Sequence, residues 1–296
     1  MNARAGTTAR PGTEEDGRVL APLGRRLAEV TRNVTSGGYR IFSALDRDGP
    51  APRAGQFYML ATAARWHARE ERPFLGRAFS VADAATEEGG TRLDFLVTEV
   101  GPGTERLAAL EAGEGLWITG PLGRPFSAPR ELNPETAGAI LVGGGIGVAP
   151  LAIWRRVLAD AGTPARVLLG FRDRPHSGGL DLFDCSEVRL ASEDGHAGHR
   201  GYVTDLLAVL LEGDDAATAV VYACGPPGML EVVREMCVAR RVACELAMEA
   251  PMACGFGACM GCAVPLAEGG YMRLCVDGPV VEAARIETAL VPGSGH

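Results

Sequence analysis

Residues 137–162, AGAILVGGGIGVAPLAIWRRVLADAG, establish the architecture of this chain. The apolar run AILV is typical of a buried strand and enters a glycine-rich turn. The apolar residues of PLAIWRRVLADAG then follow helical spacing, with Pro150 suited to a first helical turn. Downstream, ARVLLGF, EVRLAS and TAVVYAC have the pattern of strands, whereas YVTDLLAVLLEG and MLEVVREMCVARR have the pattern of helices. This alternation predicts an α/β domain with a parallel sheet, and the regular pattern is expected to stop after Cys244.

Two glycine-rich loops follow strands of this predicted sheet, GGGIGVAPL and CGPPGML. Both lie at the carboxyl ends of strands, where α/β sheets bind ligands, and backbone N–H groups at a helix start favour a dinucleotide pyrophosphate. The first loop is not a Rossmann fingerprint, because Val148 stands where the third glycine belongs, and no Gly-Lys-Ser/Thr follows to make a Walker A loop. The alternative is that both loops are glycine-rich only for packing. The candidate nucleotide-binding residues are Gly143, Gly144, Gly145, Gly147, Cys224, Gly225 and Pro226.

The N-terminal half has a different pattern. From Leu27 to about Leu122, short and partly alternating apolar runs are separated by Gly, Pro and charged turns. This spacing is expected of an antiparallel barrel or sandwich, and it looks like a six-stranded barrel. Within it, RAFS (77–80) places a guanidinium and a hydroxyl on a strand, and GPGTERL (101–107) is a glycine turn entering a short helix. Each motif alone is weak, but together they can hold a pyrophosphate.

Four cysteines near the C-terminus follow the spacing C-x4-C-x2-C-x12-C: Cys254, Cys259, Cys262 and Cys275. Four thiolates from one loop and one nearby segment are what a [2Fe-2S] cluster requires, and the interspersed glycines let peptide N–H groups approach it. The alternative is a structural zinc site, but such sites usually have two C-x2-C pairs and only one is present. Three further cysteines, Cys185, Cys237 and Cys244, are expected to be buried small apolar residues without a function.

Composition excludes several function classes. The chain has 296 residues and a net charge of −8, which suits two or three domains and argues against a nucleic-acid partner. Its start lacks a signal-peptide core, and no run of eighteen apolar residues is present, so no membrane segment is expected and the cytoplasm is the predicted location. No histidine stands in a hydrolytic motif, and no acid–base catalyst is assigned.

These motifs together resemble the electron-transfer subunit of the two-subunit, NAD-dependent dihydroorotate dehydrogenases, within the ferredoxin–NADP reductase superfamily. The resemblance covers residues 25 to about 285 and rests on the RxxS motif, the GT of GPGT, GGGIGVAPL, CGPPGM and AMEAPMACGFGACMGCAVP with RLCVDGPV. The tail is its most specific part, since the fourth cysteine of plant-type ferredoxins lies much farther along the chain. Ala78 and Phe79 depart from the family motif, where Pro and a β-branched residue are expected.

The resemblance implies an α+β multidomain protein with FAD, a [2Fe-2S] cluster and NAD as cofactors. It predicts an FAD-binding β-barrel at 23–130, an NAD-binding α/β domain at 131–244 and a cluster domain at 245–296. Residues 1–22 are extra to the family, and their Gly-, Thr-, Arg- and Pro-rich composition predicts a disordered tail. The FAD site would be formed by Arg77, Ala78, Phe79, Ser80, Gly103 and Thr104.

The same resemblance implies an FMN-containing catalytic partner that oxidises dihydroorotate, in a heterotetramer of two copies of each subunit. The alternative is a subunit of the same build serving a sulfide dehydrogenase, a ferredoxin–NADP oxidoreductase or a sulfite reductase. A zinc-stabilised nucleotide-binding protein without redox activity is the rival from another class. NAD and NADP are not separated, because Arg172 and Arg174 suit a 2′-phosphate whereas Asp173 opposes it.

Overall fold

The structure, a computed structural model, describes residues 24–64, 66, 75–183 and 188–293, with the backbone alone at 214 and 215. The predicted disordered tail at 1–22 and Cys185 lie outside the described residues.

The first part of the chain forms one curled antiparallel sheet of seven strands in the order β4-β3-β7-β1-β2-β6-β5. Its two edge strands, β4 and β5, are separated in sequence only by Val81 and Ala82. Val81 N–H donates to the Gln56 carbonyl beside β3, and Ala82 N–H donates to the Asp94 carbonyl in β6. The chain therefore passes directly from one edge to the other, which closes the curl into a barrel. The elements are β1 (Arg26–Ser36), β2 (Tyr39–Asp46), β3 (Phe57–Thr62), β4 (Arg77–Ser80), β5 (Asp83–Glu87), β6 (Gly90–Val97), α1 (Pro102–Ala108) and β7 (Gly115–Leu122).

Aromatic side chains fill the barrel. The rings of Phe42 and Phe95 lie 5.5 Å apart, and Tyr58 meets Phe95 edge-on at 5.8 Å. All three side chains are fully buried. Such tilted and edge-to-face contacts add to the free energy gained by burying the rings.

The second sheet has seven strands in the order β11-β10-β9-β8-β12-β13-β16, parallel except for the last pair. Its central strands β8 and β12 are almost wholly buried, as expected for a sheet covered by helices on both faces. The elements are α2 (Pro129–Leu132), β8 (Gly138–Gly144), α3 (Val148–Asp160), β9 (Ala165–Phe171), β10 (Val188–Ser192), β11 (His199–Arg200), α4 (Val203–Leu210), β12 (Ala219–Cys224), α5 (Pro227–Arg240) and β13 (Ala243–Ala247).

The cysteine-rich tail is an excursion between two neighbouring strands. The chain leaves the sheet at the end of β13, forms the hairpin β14 (Ala263–Pro265) and β15 (Tyr271–Arg273) and the short helix α6 (Leu274–Asp277), and then returns as β16 (Val280–Glu282). β16 pairs antiparallel with β13. The cluster segment is therefore anchored at both ends to the α/β sheet, and that sheet extends past residue 244. The division into domains at 130 and 244 stays a prediction.

The predicted fold class is confirmed, and two details of it were wrong. The barrel has seven strands rather than six, because RAFSVADA divides into β4 and β5. In β1 a bulge between Val30 and Arg32 breaks the alternation that identifies a strand. Regular structure also continues after Cys244 to the end of β13 and again in β16, whose three residues are too few to give a pattern.

No helix in the ranges that the structure describes is both long and apolar enough to span a membrane.

Candidate redox site

The four predicted cluster ligands form two pairs. Cys262 and Cys275 are buried, and their Sγ atoms lie 3.2 Å apart. Cys275 N–H also donates to the Cys262 Sγ at 3.4 Å. Burial raises the pKa of Cys275 to about 12, with the neighbouring Cys262 sulfur adding to the rise. These two sulfurs are the inner pair, and a bound cation would be needed to hold both as thiolates.

The outer pair, Cys254 and Cys259, lies nearer the surface. Burial raises the pKa of Cys254, but hydrogen bonds from Phe256 N–H, from the backbone and side chain of Cys259 and from Ala258 N–H outweigh it and lower the pKa to about 6. Backbone N–H groups thus already point at the sulfur, as the glycine-rich sequence predicted. This donor arrangement stabilises a negatively charged sulfur.

Two separate sulfur pairs fit a dinuclear cluster better than a single ion. In a [2Fe-2S] cluster each iron needs two protein sulfurs, whereas a zinc site gathers all four around one point. The donor set therefore fits the [2Fe-2S] cluster.

The cluster loop packs on the barrel. Gly255 has φ of +80°, and a Cβ atom there would lie 2.6 Å from Met59 Cγ and 3.3 Å from Leu122 Cδ1. Met59 in β3 is paired directly with Ala78 in β4. The loop that holds Cys254 is therefore a neighbour of the RAFS strand, although almost 180 residues of chain separate them. The sequence contained no signal for this contact.

The two halves of the predicted flavin site also meet. A Cβ atom at Gly103 would lie 3.0 Å from Arg77 Nε, so the guanidinium rests against the glycine turn. Arg77 Nη1 donates to the Leu75 carbonyl at 2.8 Å. The Thr104 hydroxyl accepts from Val100 and Gly101 N–H, which shapes the turn. A half-exposed guanidinium beside a bare backbone turn fits a phosphate group.

The remaining residues of RAFS lie on an edge strand. Ala78 is exposed, and Phe79 and Ser80 are half-buried. Among the described residues, β4 pairs with a strand only on its β3 side. Its free side can therefore take a planar ligand.

The two nucleotide loops form one unit. The order of the sheet reverses between β8 and β12, so the loops after these strands border the crevice where α/β sheets bind ligands. A Cβ atom at Gly147 would lie 2.6 Å from the backbone of Cys224, and one at Gly144 would lie 2.9 Å from Pro226. These two glycines are required by packing of one loop on the other. Gly145 differs, because it has φ of +53° and, among the described residues, a Cβ atom there would have only the Tyr39 hydroxyl within 4 Å, at 3.7 Å.

Sequence reasoning missed Glu249 at this crevice. It stands beside the buried Cys224, and the negative charge of Glu249 adds to the rise that burial causes in the Cys224 pKa. Burial likewise raises the pKa of Glu249. The only sequence signal was its position two residues after β13, at the carboxyl end of a strand.

Comparison with known families matches both halves of this site. The iron-sulfur cluster binding domain of dihydroorotate dehydrogenase B matches residues 249–287, and the oxidoreductase NAD-binding domain matches residues 141–235. With the barrel, these matches define an iron–sulfur oxidoreductase that contains an NAD-binding domain.

Curated relatives identify the family more closely. The dihydroorotate dehydrogenase B (NAD(+)) electron transfer subunit of Caldanaerobacter subterraneus subsp. tengcongensis is 33% identical over 260 residues, covering 86% of this chain and 94% of that one. The subunit of the same name from Clostridium acetobutylicum is 37% identical over 230 residues, covering 77% of this chain and 83% of that one. The chain belongs to the family of dihydroorotate dehydrogenase B electron transfer subunits.

Solved structures agree on the fold. A chain of the NADH-dependent reduced ferredoxin–NADP oxidoreductase superposes with a TM-score of 0.73 at 23% identity, covering 90% of this chain and 91% of that one. Phthalate dioxygenase reductase superposes with a TM-score of 0.56 at 17% identity, covering 90% of this chain and 96% of that one. Both comparisons show that the fold is that of the ferredoxin–NADP reductases.

Proposed function

We propose that this chain is the electron transfer subunit of an NAD-dependent dihydroorotate dehydrogenase. It would take electrons from a catalytic partner and deliver them to NAD+. The observation that carries this proposal is the packing of the four-cysteine loop on Met59, beside the RAFS strand. This contact brings a one-electron site next to a candidate flavin site inside one chain.

Each cofactor has its own set of residues. Cys254 and Cys259 would hold one iron of the [2Fe-2S] cluster, and Cys262 and Cys275 the other. Arg77 and the turn at Gly103 and Thr104 would bind the FAD pyrophosphate, with Ala78, Phe79 and Ser80 along the flavin. The glycine loops would bind NAD through Gly143, Gly144, Gly145, Gly147, Cys224, Gly225 and Pro226. When bound, the flavin and cluster would convert between one-electron and two-electron transfer, while the chain supplies position and electrostatics.

The docking site for the partner subunit is proposed from two exposed apolar side chains of the cluster loop. Phe256 is 48% exposed and Met260 is 53% exposed, and both flank the outer cysteine Cys259. Exposed apolar side chains around a redox centre suit a docking surface. A catalytic subunit that carries FMN and oxidises dihydroorotate would dock here, in a heterotetramer of two copies of each chain. The stoichiometry and a cytoplasmic location stay predictions.

Reconstitution tests the proposal. The isolated chain, purified without air, should reduce artificial dyes with NADH and leave dihydroorotate untouched. Adding the FMN subunit of the same organism should create NAD+ reduction that depends on dihydroorotate. Turnover of dihydroorotate by the chain alone would contradict the proposal. Absence of coupling to that FMN subunit would favour a sulfide dehydrogenase, ferredoxin–NADP oxidoreductase or sulfite reductase subunit instead.

A further inference from the structure

The turn between β1 and β2 projects from the barrel and packs against the α/β domain. We call residues 36–39 the arm, and residues 172–181, which follow β9, the β9 loop. Four hydrogen bonds join them. Gly179 N–H donates to Ser36 Oγ at 2.9 Å, and Gly38 N–H donates to the Ser177 carbonyl at 2.6 Å. The Ser36 hydroxyl donates to the Asp181 carboxylate, and the Tyr39 hydroxyl donates to the His176 carbonyl at 2.5 Å.

Glycines on both sides make this approach possible. A Cβ atom at Gly38 would overlap the Pro175 carbonyl oxygen, and one at Gly178 would overlap the Ser36 carbonyl oxygen. Gly37, with φ of +59°, is equally close to Ser177. Since any larger residue would push the two segments apart, the arm and the β9 loop are held in backbone contact.

Tyr39 reaches both loops of the nucleotide crevice. Its hydroxyl bonds to the β9 loop and lies 3.7 Å from the position of a Cβ atom at Gly145 in the β8 loop. The side chain is buried, and burial raises its pKa to about 12, so the hydroxyl keeps its proton throughout the neutral range. One buried side chain from the barrel thus bonds to the β9 loop and stands beside the β8 loop.

The β9 loop also carries charged side chains that hydrogen-bond to one another. Asp173 accepts from Arg172 Nε at 3.1 Å and from His176 N–H at 3.0 Å. Tyr39 holds the carbonyl of that same His176. The hydrogen bond from Tyr39 therefore connects the arm to the Arg172, Asp173 and His176 side-chain group, across from Gly145.

We propose that the arm positions the dinucleotide site, with Tyr39 as its positioning residue: it holds the β9 loop and the Gly145 turn at the spacing that binds the two ends of NAD. This inference rests on the proposed function, because it takes the crevice after β8 and β12 as the NAD site. The sequence motifs alone assign no role to residues 36–39.

Tyr39→Phe tests the proposal, since it removes one hydroxyl and leaves the ring. We expect the Kd for NAD+, measured by titration calorimetry on the cofactor-loaded chain, to rise about 3- to 10-fold, as the loss of one buried hydrogen bond predicts. The KM for NADH in dye reduction should rise equally, with kcat and the FAD and iron content unchanged. Hydrogen exchange at the Gly38 and Gly179 amides should become faster.

Tyr271→Phe is the matched control, because Tyr271 is 73% exposed on the cluster hairpin, and it should bind NAD+ like the parent. Gly38→Ala should weaken binding at least as much as Tyr39→Phe, because it displaces the arm itself. Unchanged NAD+ affinity in Tyr39→Phe overturns the inference, as does equal weakening in the Tyr271 control or a loss of FAD in parallel. If the parent does not bind NAD+, the proposed function fails instead.

Discussion

At the scale of single residues, chemistry depends on which neighbour each side chain meets. Arg77 lies on Gly103, and Cys254 lies among backbone N–H groups. Both arrangements favour negative charge, on a phosphate in the first case and on a thiolate in the second. The residue types could be read from the motifs, but the partners could not.

Replacing Arg77 by alanine should lower the FAD content of the purified protein severalfold, because it removes the guanidinium proposed to bind the flavin phosphate. Arg77→Lys should recover only part of it, since an ammonium cannot make the same bidentate contact. Flavin absorbance after release and iron content measure the outcome. Iron should stay near the parent level, and Arg32→Ala, an exposed position on β1, serves as control. Full flavin retention in Arg77→Ala would refute the assignment.

Glu245 gives a residue-scale prediction on pH. Burial raises its pKa, although Ser127 Oγ–H and N–H donate to the carboxylate at 2.7 and 2.9 Å. Because the folded pKa lies above the unfolded one, the folded state binds the proton more tightly, and stability falls as pH rises from the unfolded pKa through the folded pKa.

Urea unfolding from pH 4.5 to 8 measures this effect. Glu245→Gln should lose that part of the pH dependence and be at least as stable as the parent at pH 7. Glu245→Ala should be less stable by about 1–3 kcal/mol, because the Ser127 donors lose their acceptor. A difference between parent and Glu245→Gln that does not vary with pH would contradict the argument.

At the scale of elements, packing of the cluster loop on β3 brings the four cysteines close to the proposed flavin site. The cluster loop contacts β3 and β7 through Gly255, and β3 pairs with the flavin strand β4. Conversely, β16 ties the end of the cluster segment to the α/β sheet through β13. The cluster segment is thus held by both of the other sheets.

Gly255→Ala tests this loop contact. An alanine at φ of +80° costs about 1–2 kcal/mol in backbone strain, and its Cβ would also press on Met59. Gly269→Ala is the matched control, because Gly269 has φ of +89° with open space around it. We expect Gly255→Ala to lose more stability than Gly269→Ala and to lose cluster absorbance as well. A double-mutant cycle with Met59→Ala should show coupling, and purely additive effects would disprove the contact.

At the scale of the whole molecule, three segments far apart in sequence carry the sites of the proposed electron route. The cluster loop, the RAFS strand and the paired glycine loops come from the tail, the barrel and the α/β sheet. The inner cysteine pair lies in the hydrophobic core shared by β3, β7 and the tail, whereas Cys259 is exposed. Under the proposed function, electrons would enter at the surface and leave in the crevice.

This asymmetry predicts different outcomes for two cysteine variants. Cys259→Ser should abolish the cluster absorbance and leave most of the FAD and the folded state intact, because its side chain is exposed. Cys275→Ser should also abolish the cluster and in addition lower the melting temperature, because it puts a hydroxyl in a buried apolar site. Visible spectra, iron analysis and thermal unfolding report the results. Zinc without iron in the anaerobically purified parent would overturn the cluster assignment.

The strands and helices with clear periodicity, the cysteine spacing and the glycine loops could all be predicted from the sequence, because these features depend on residues close together along the chain. The sequence also carried the family resemblance that the comparisons confirmed. Four contacts became visible only in the folded chain. Gly255 rests on Met59, and Tyr39 bonds to the β9 loop beside Gly145. Glu249 lies near enough to Cys224 to affect its pKa, and β16 extends the α/β sheet. Each of these depends on close packing between segments that are distant in sequence, and the periodicity of neither segment encodes its partner.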